Sequence, residues 1–135
     1  MSYLLDTNAC IRYLNSSNNQ ILHRLNLLLS DDIFLCDVVK FELYYGAYKS
    51  RNTDKNLASL KIFFDEFVSL PFDGRAASIC GRIRSDLNKK GTPIGVYDVQ
   101  IAAIAIANNL VLVTHNIGEF SRVDGLQYED WEVGL

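Results

Sequence analysis

The sequence predicts an α/β domain with a central, mainly parallel sheet of four to five strands flanked by helices, and three observations carry that expectation. Short apolar runs that read as strands alternate with segments of helical period along the chain, the pattern of strands joined through crossover helices. Leu110-Val111-Leu112-Val113 has the length and β-branching of a strand buried on both faces. The stretch V-Q-I-A-A-I-A-I-A after Asp98 is apolar nearly all round, so its helix has to be covered on several sides.

The elements follow in order. Tyr3–Leu5 is the first strand, and a short helix through Ile11 and Leu14 comes after Asp6. The polar break Asn15-Ser16-Ser17-Asn18-Asn19 ends it. A second helix puts Ile21, Leu22, Leu25, Leu28 and Leu29 on one face, so two helices precede the second strand, Ile33–Cys36. Asp37-Val38-Val39 leads into a helix with Phe41, Glu42, Tyr44, Tyr45 and Tyr48. Polar residues around Ser50–Thr53 separate it from a helix with Leu57, Leu60, Phe63 and Phe64. Phe67–Leu70 is the third strand. Asp73-Gly74 opens a helix carrying Ala76, Ile79, Cys80, Ile83 and Leu87, ended by Lys89-Lys90-Gly91. Thr92–Tyr97 is a turn-rich loop, Asp98 begins the apolar helix, Asn108-Asn109 ends it, Leu110–Thr114 is the fourth strand, and a weaker one lies near Leu126–Tyr128.

At 135 residues, with 49% hydrophobic and 21% charged positions and two prolines, residues 1–135 are expected to form one soluble domain around one core. No linker, repeat or low-complexity tract interrupts it. The start of the chain has no basic n-region or long h-region, and Val99–Ala107 is short for a bilayer span and broken by Gln100, so the expected location is the cytoplasm and no membrane contact is foreseen. Cys10, Cys36 and Cys80 are widely spaced, with no histidine at metal-site distance, and read as buried thiols. A net charge of −3 argues against a broad basic face for nucleic acid, but not against a nuclease whose carboxylates lower the charge themselves.

In an open parallel sheet, chemistry collects beyond the carboxyl ends of the strands. Asp6 and Asn116 follow strands there, Glu42 lies early in the helix after the second strand, and Asp98 starts the central helix. All four can reach one cleft. Carboxylates gathered in a cleft repel one another, and a divalent cation such as Mg²⁺, which prefers oxygen ligands, removes the repulsion and suits phosphodiester hydrolysis. Each residue also has a plainer role. Asp6 can cap a helix, Asp98 can complement a helix dipole, Glu42 can be solvated, and Thr114 and Asn116 can form a turn.

Taken together, Y-L-L-D-T-N at 3–8, V-V-K-F-E-L-Y-Y-G-A at 38–47, G-T-P-I-G-V-Y-D-V-Q-I-A-A-I-A at 91–105 and L-V-T-H-N-I-G-E-F-S-R-V-D-G-L at 112–126 resemble the VapC toxins, PIN-domain ribonucleases of type II toxin–antitoxin systems. The resemblance runs from end to end and includes Y-E-D-W at 128–131. It implies a Rossmann-like PIN fold and a Mg²⁺- or Mn²⁺-dependent endoribonuclease acting on RNA, with Asp6, Glu42 and Asp98 at the acidic metal-binding positions. By the same resemblance the fourth acidic position falls at Asn116, which is neutral and can act through its side-chain carbonyl on a water or the substrate. Glu119, three residues on, is a candidate substitute.

Thr7, Asn8 and Thr114 are candidates to orient the carboxylates, and His115 to contact RNA. Arg12, Lys40, Arg82, Arg84, Lys89, Lys90 and Arg122 are the cations available for phosphate. The resemblance further implies a homodimer and a VapB-type antitoxin whose C-terminal segment lies over the cleft while its N-terminal domain binds operator DNA. DNA is then met only through the antitoxin. The aromatic residues Phe41, Tyr44, Tyr45, Tyr48, Phe63, Phe64 and Phe67 are expected to be core, with some left for a dimer or partner surface. Two other readings stay open: a PIN-like module that binds RNA or antitoxin without cutting, and a phosphatase of the haloacid-dehalogenase type with Asp6 as nucleophile, whose usual second Asp is Asn8 here.

Overall fold

The computed structural model describes residues 1–133. Its strands are β1 (Tyr3–Leu5), β2 (Ile33–Cys36), β3 (Val68–Leu70), β4 (Val111–Val113) and β5 (Tyr128–Glu129), and they form one sheet in the order β3-β2-β1-β4-β5. Every pairing is parallel. Parallel neighbours need crossover connections, which the helices supply: α1 (Thr7–Leu14), α2 (Asn19–Asn26), α3 (Asp37–Lys49), α4 (Thr53–Glu66), α5 (Gly74–Lys89), α6 (Val96–Ala107) and α7 (Ile117–Phe120).

The chain builds outward from β1 through β2 to β3, then returns to the other side of β1 with β4 and β5. The direction of winding therefore reverses between β1 and β4, and a crevice opens there at the carboxyl ends of the strands. Leu4, Leu5 and Leu112 of these two strands are wholly buried. The ladder pairs Leu5 with Val113, and the Asp6 N–H carries it one step further by donating to the Val113 carbonyl at 3.1 Å. Asp6 is thus the first residue past the sheet, held by the sheet's own bonding.

α6 is central, as its composition predicts: Val99, Ile101, Ala102, Ala103, Ile104, Ala105 and Ala107 are buried. Its small residues let α5 pack closely along it. α5 ends where Gly91 takes φ +70, a left-handed conformation that costs glycine little, and the Thr92 N–H closes back on the Leu87 carbonyl at 3.0 Å.

Several boundaries differ from the sequence expectation. Phe67 closes α4 through its N–H to Phe64 and does not start β3. The last strand lies at Tyr128–Glu129 because the Leu126 N–H turns back to the Val123 carbonyl at 3.4 Å and the ladder starts beyond it. α2 stops at Asn26, which leaves Leu29 exposed. α6 begins two residues before Asp98, at Val96, and α7 is a single turn that the pattern does not predict. Of the aromatic residues, Phe63 and Phe64 are core, whereas Phe41, Tyr44, Tyr45 and Tyr48 are exposed along α3. Cys10 and Cys36 are buried and Cys80 half-buried, all as free thiols.

The segment after β5 is tied down by Trp131, the largest fully buried side chain. Its ring meets Tyr3 of β1 edge-on at 5.1 Å, the Arg24 guanidinium of α2 lies 5.0 Å from the ring centroid, and its indole N–H donates to Glu129 at 3.0 Å. One side chain therefore joins β1, β5 and α2.

Candidate active site

Asp6 takes the capping role open to it in the sequence, from a position at the crevice. It is 5% exposed, and its Oδ1 accepts the Ala9 N–H at 2.8 Å, capping α1. Thr114, buried just past β4, lies beside the same carboxyl group. Burial pushes the Asp6 pKa up to about 6 against the lowering influence of these two neighbours, with the carboxylates of Glu132 and Glu42 raising it further.

Asp98 lies in the first turn of α6. Burial is again the main cause that pushes its pKa up, here to about 7, and Glu119 adds to it by facing the carboxyl group. The charges of Glu119, Glu42 and Asp6 act in the same direction. Glu42, half-buried on α3, accepts the Thr7 hydroxyl at 2.8 Å, which fixes its rotamer toward the start of α1.

Glu42 thus acts on both Asp6 and Asp98 at the crevice, Asp6 and Glu119 act on Asp98, and Glu132 acts on Asp6. Asn116 stands at the rim: its N–H donates to the Thr114 hydroxyl at 3.0 Å, and its Nδ2 donates to Glu119 Oε2 at 3.0 Å. The neutral residue thus holds the nearby acid, while its own Oδ1 can still accept. Asn8 is exposed on α1 and takes no part in the bonds that order these acids. The geometry brings Thr7 and Thr114 to the carboxylates and leaves Asn8 out.

His115 is exposed and turned to a different neighbour, with Nδ1 2.9 Å from Asp130. That contact and the surrounding acids raise its pKa. With Glu132 the two form the one group of three such side chains, among the described residues, whose ligand atoms lie within 4.8 Å of one another. Glu132 is paired with Arg12 at 3.0 Å, so ordinary ion pairs account for this cluster.

The crevice acids fit a hard divalent cation. All the donors are carboxylate oxygens, the set that Mg²⁺ and Mn²⁺ prefer. The charges acting on Asp6 and Asp98 are themselves carboxylates, which leaves a negative excess for a cation to balance. Among the described residues, no three of these acids bring their ligand atoms within 4.8 Å of one another, so their fit to a cation rests on donor type and charge.

Gly95 has no part in the sequence expectation beyond a loop, yet a Cβ there would lie 3.1 Å from Asp98 Oδ2. Its φ of −56 suits any residue, so an alanine would strain nothing but that carboxylate. A displacement of about 1 Å at a reacting group can cost about 100-fold in rate. Gly95→Ala moves the carboxylate by a few tenths of an ångström and is expected to lower turnover by about 3- to 10-fold with no change in melting temperature. Parental turnover in that variant would remove Gly95 from the site. The signal available in the sequence is a glycine three residues before an acid in a helix's first turn.

The raised pKa values also set a pH dependence. Asp6 and Asp98 bind protons more tightly folded than unfolded, so their burial costs least below about pH 4 and most above about pH 7. In EDTA, the contribution of these two groups makes the protein more stable to urea as pH falls from 8 toward 5.5. Asp6→Asn and Asp98→Asn should flatten that slope, and a slope unchanged in both variants would show that these acids are not its source.

Comparison with known proteins places the chain in a family. The family model for the PIN domain matches residues 3–126. The tRNA(fMet)-specific endonuclease VapC of Salmonella typhimurium is 40% identical over 131 residues, which is 97% of this chain and 98% of that protein. Ribonuclease VapC2 of Rickettsia felis is 37% identical over 133 residues, 98% of this chain and 99% of its own. Among solved structures, that of DNA-bound VapBC from Salmonella typhimurium superposes with a TM-score of 0.91 at 40% identity, covering 97% of this chain and 98% of the other.

Proposed function

Since the chain belongs to the PIN domain family, among its VapC ribonucleases, we propose Asp6, Glu42 and Asp98 as the holders of a divalent cation, Mg²⁺ or Mn²⁺, in RNA hydrolysis. The protein is the toxin endoribonuclease of a VapBC-type toxin–antitoxin pair, with a VapB antitoxin as partner. This membership sets the phosphatase and non-cutting alternatives aside. The observation that carries the metal assignment is the uncompensated charge of the crevice, where buried Asp6 and half-buried Asp98 lie within reach of further carboxylates and, among the described residues, of no cation that offsets them.

When bound, such a cation supplies Lewis acidity at a phosphoryl oxygen and lowers the pKa of water. The chain's own residues do the rest. The Ala9 N–H and Thr114 hold Asp6 at a fixed orientation, Thr7 does the same for Glu42, and Gly95 leaves room for the Asp98 carboxylate. Glu119 takes the place of the missing fourth acid. Asn116 positions Glu119 and offers its carbonyl to water or substrate.

We further propose that residues 1–135 act as one catalytic domain in the cytoplasm; among the described residues no helix is long and apolar enough to cross a membrane. The exposed tyrosines of α3, Tyr44, Tyr45 and Tyr48, are the proposed homodimer contact. DNA is reached through the antitoxin, in keeping with the chain's net charge of −3.

The name of the Salmonella relative makes initiator tRNA the first substrate to test. Purified protein is expected to cut it with Mg²⁺ or Mn²⁺, to stop in EDTA, and to resume when the metal is restored. Cleavage that continues undiminished in EDTA would refute the metal assignment.

A further inference from the structure

We propose that Phe41 and Tyr97 form a stacking platform for an unpaired RNA base beside the phosphate cut at the acidic cluster. The inference rests on the nuclease reading and deepens it to the form of RNA that the site takes.

Two helices each carry one of the proposed acids with an exposed ring one residue before it. α3 supplies Glu42 with Phe41 immediately before it, and α6 supplies Asp98 with Tyr97 immediately before it. The two rings meet across the helices with centroids 5.2 Å apart at 64°, an edge-to-face contact. Such contacts usually stabilise a core, but here Phe41 is 49% and Tyr97 42% exposed. Successive side chains of a helix diverge by about 100°, so the nearness of rings and acids rests on the pairing between the helices: Phe41 meets Tyr97, and one residue on Glu42 acts on Asp98. A base resting on these rings is one residue along the same helix pair from the acids.

Charge favours this kind of binding. The chain carries −3 overall and its cleft is lined with carboxylates, so phosphate attraction is a poor source of affinity at the site. The closest lysine in sequence, Lys40, lies with its ammonium 4.9 Å from the Phe64 centroid. Stacking on an aromatic face requires no positive charge and tolerates any base, and it is how many single-strand binders hold RNA. It also demands an unpaired base, because a base within a duplex is already stacked on its neighbours. The site should thus prefer loops and single strands over helical RNA.

The test compares Tyr97→Ala and Phe41→Ala with the aromatic replacements Tyr97→Phe and Phe41→Tyr. Cleavage is followed at steady state. Binding is measured in an Asp98→Asn background by quenching of a single-stranded oligoribonucleotide carrying 2-aminopurine at successive positions. The alanine variants are expected to lose about 10- to 100-fold in affinity and kcat/KM, mainly through KM. The aromatic replacements should stay near the parent. An abasic nucleotide at the most quenched position should abolish the difference between the parent and the Tyr97→Ala variant.

Parental affinity and kcat/KM in both alanine variants would overturn the proposal, as would an equal loss on the abasic RNA. A fall in activity that tracks a change in native mass would assign the rings to a protein contact instead. If the parent cuts no RNA, the nuclease reading itself fails. If the parent cuts and Tyr97→Ala cuts equally well, only the platform is lost.

Discussion

Asp98→Asn is expected to lower RNA cleavage by at least about 100-fold while leaving the protein as stable as the parent, or more so. Residues that merely orient a metal's ligands cost about 10- to 100-fold when removed, so a direct ligand should exceed that range. The stability side follows from the environment. Burial and the facing Glu119 push the Asp98 pKa up to about 7, so near neutral pH the ionised form is held at a cost. Asparagine keeps the shape and removes the charge, and one pKa unit corresponds to about 1.4 kcal/mol. A gain on the order of 1 kcal/mol at pH 8 is a reasonable expectation after coupling to Glu119 is allowed for. Initial cleavage rates and urea midpoints measured on the same preparation check both halves. A variant that cuts at the parental rate would exclude Asp98 from the chemistry, and one that fails to fold would contradict the electrostatic argument.

Trp131→Ala should produce the largest loss of stability of any single change described, about 3–5 kcal/mol, as expected for a large buried ring replaced by a methyl group. The ring is 1% exposed and wedged between Tyr3 and Arg24. Its removal leaves no charge stranded, because Arg24 and Glu129 still hold each other at 3.0 Å. The cost is therefore a cavity plus two lost aromatic contacts, and it is a large share of the ~5–15 kcal/mol available to a typical domain. Trp131→Phe should recover much of it. Because Glu132 follows directly and its charge acts on Asp6, activity ought to fall at temperatures where the variant is still mostly folded. A denaturation midpoint within about 1 kcal/mol of the parent would show that the end of the described chain is not needed to close the core.

Much of this arrangement is legible in the sequence, for physical reasons. Asp6 and Asp98 are readable because a parallel sheet delivers its strand ends and helix starts to one edge, whatever the side chains there do. Glu42 follows from the same rule with the added helical step. The order of strands and the burial of α6 follow from an apolar pattern that leaves no other way to cover it. The residues that escape are those whose meaning is a contact. Gly95 matters because of an oxygen 3.1 Å from an atom it lacks, and no period or propensity registers that. Glu119 comes to lie near Asp98 because of one unforeseen turn, α7, in which Asn116 Nδ2 donates to it. The last strand lies later than its pattern suggests because the Leu126 N–H is used in a turn to Val123, a bond that an apolar pattern does not register.

β1 lies between β2 and β4, and the Asp6 N–H is bonded to Val113, so the strand nearest the start of the sequence is completed by one near its far end. On the ribosome these pieces appear in that order and cannot meet until β4 has emerged. Contacts so distant along the chain form slowly and late. A growing polypeptide therefore carries Asp6 and Glu42 for most of its synthesis without an enclosed crevice to use them. A message broken before the codons for Val111–Val113 yields no nuclease, and a whole one yields it only near the end of translation, an interval in which an antitoxin already made can be waiting.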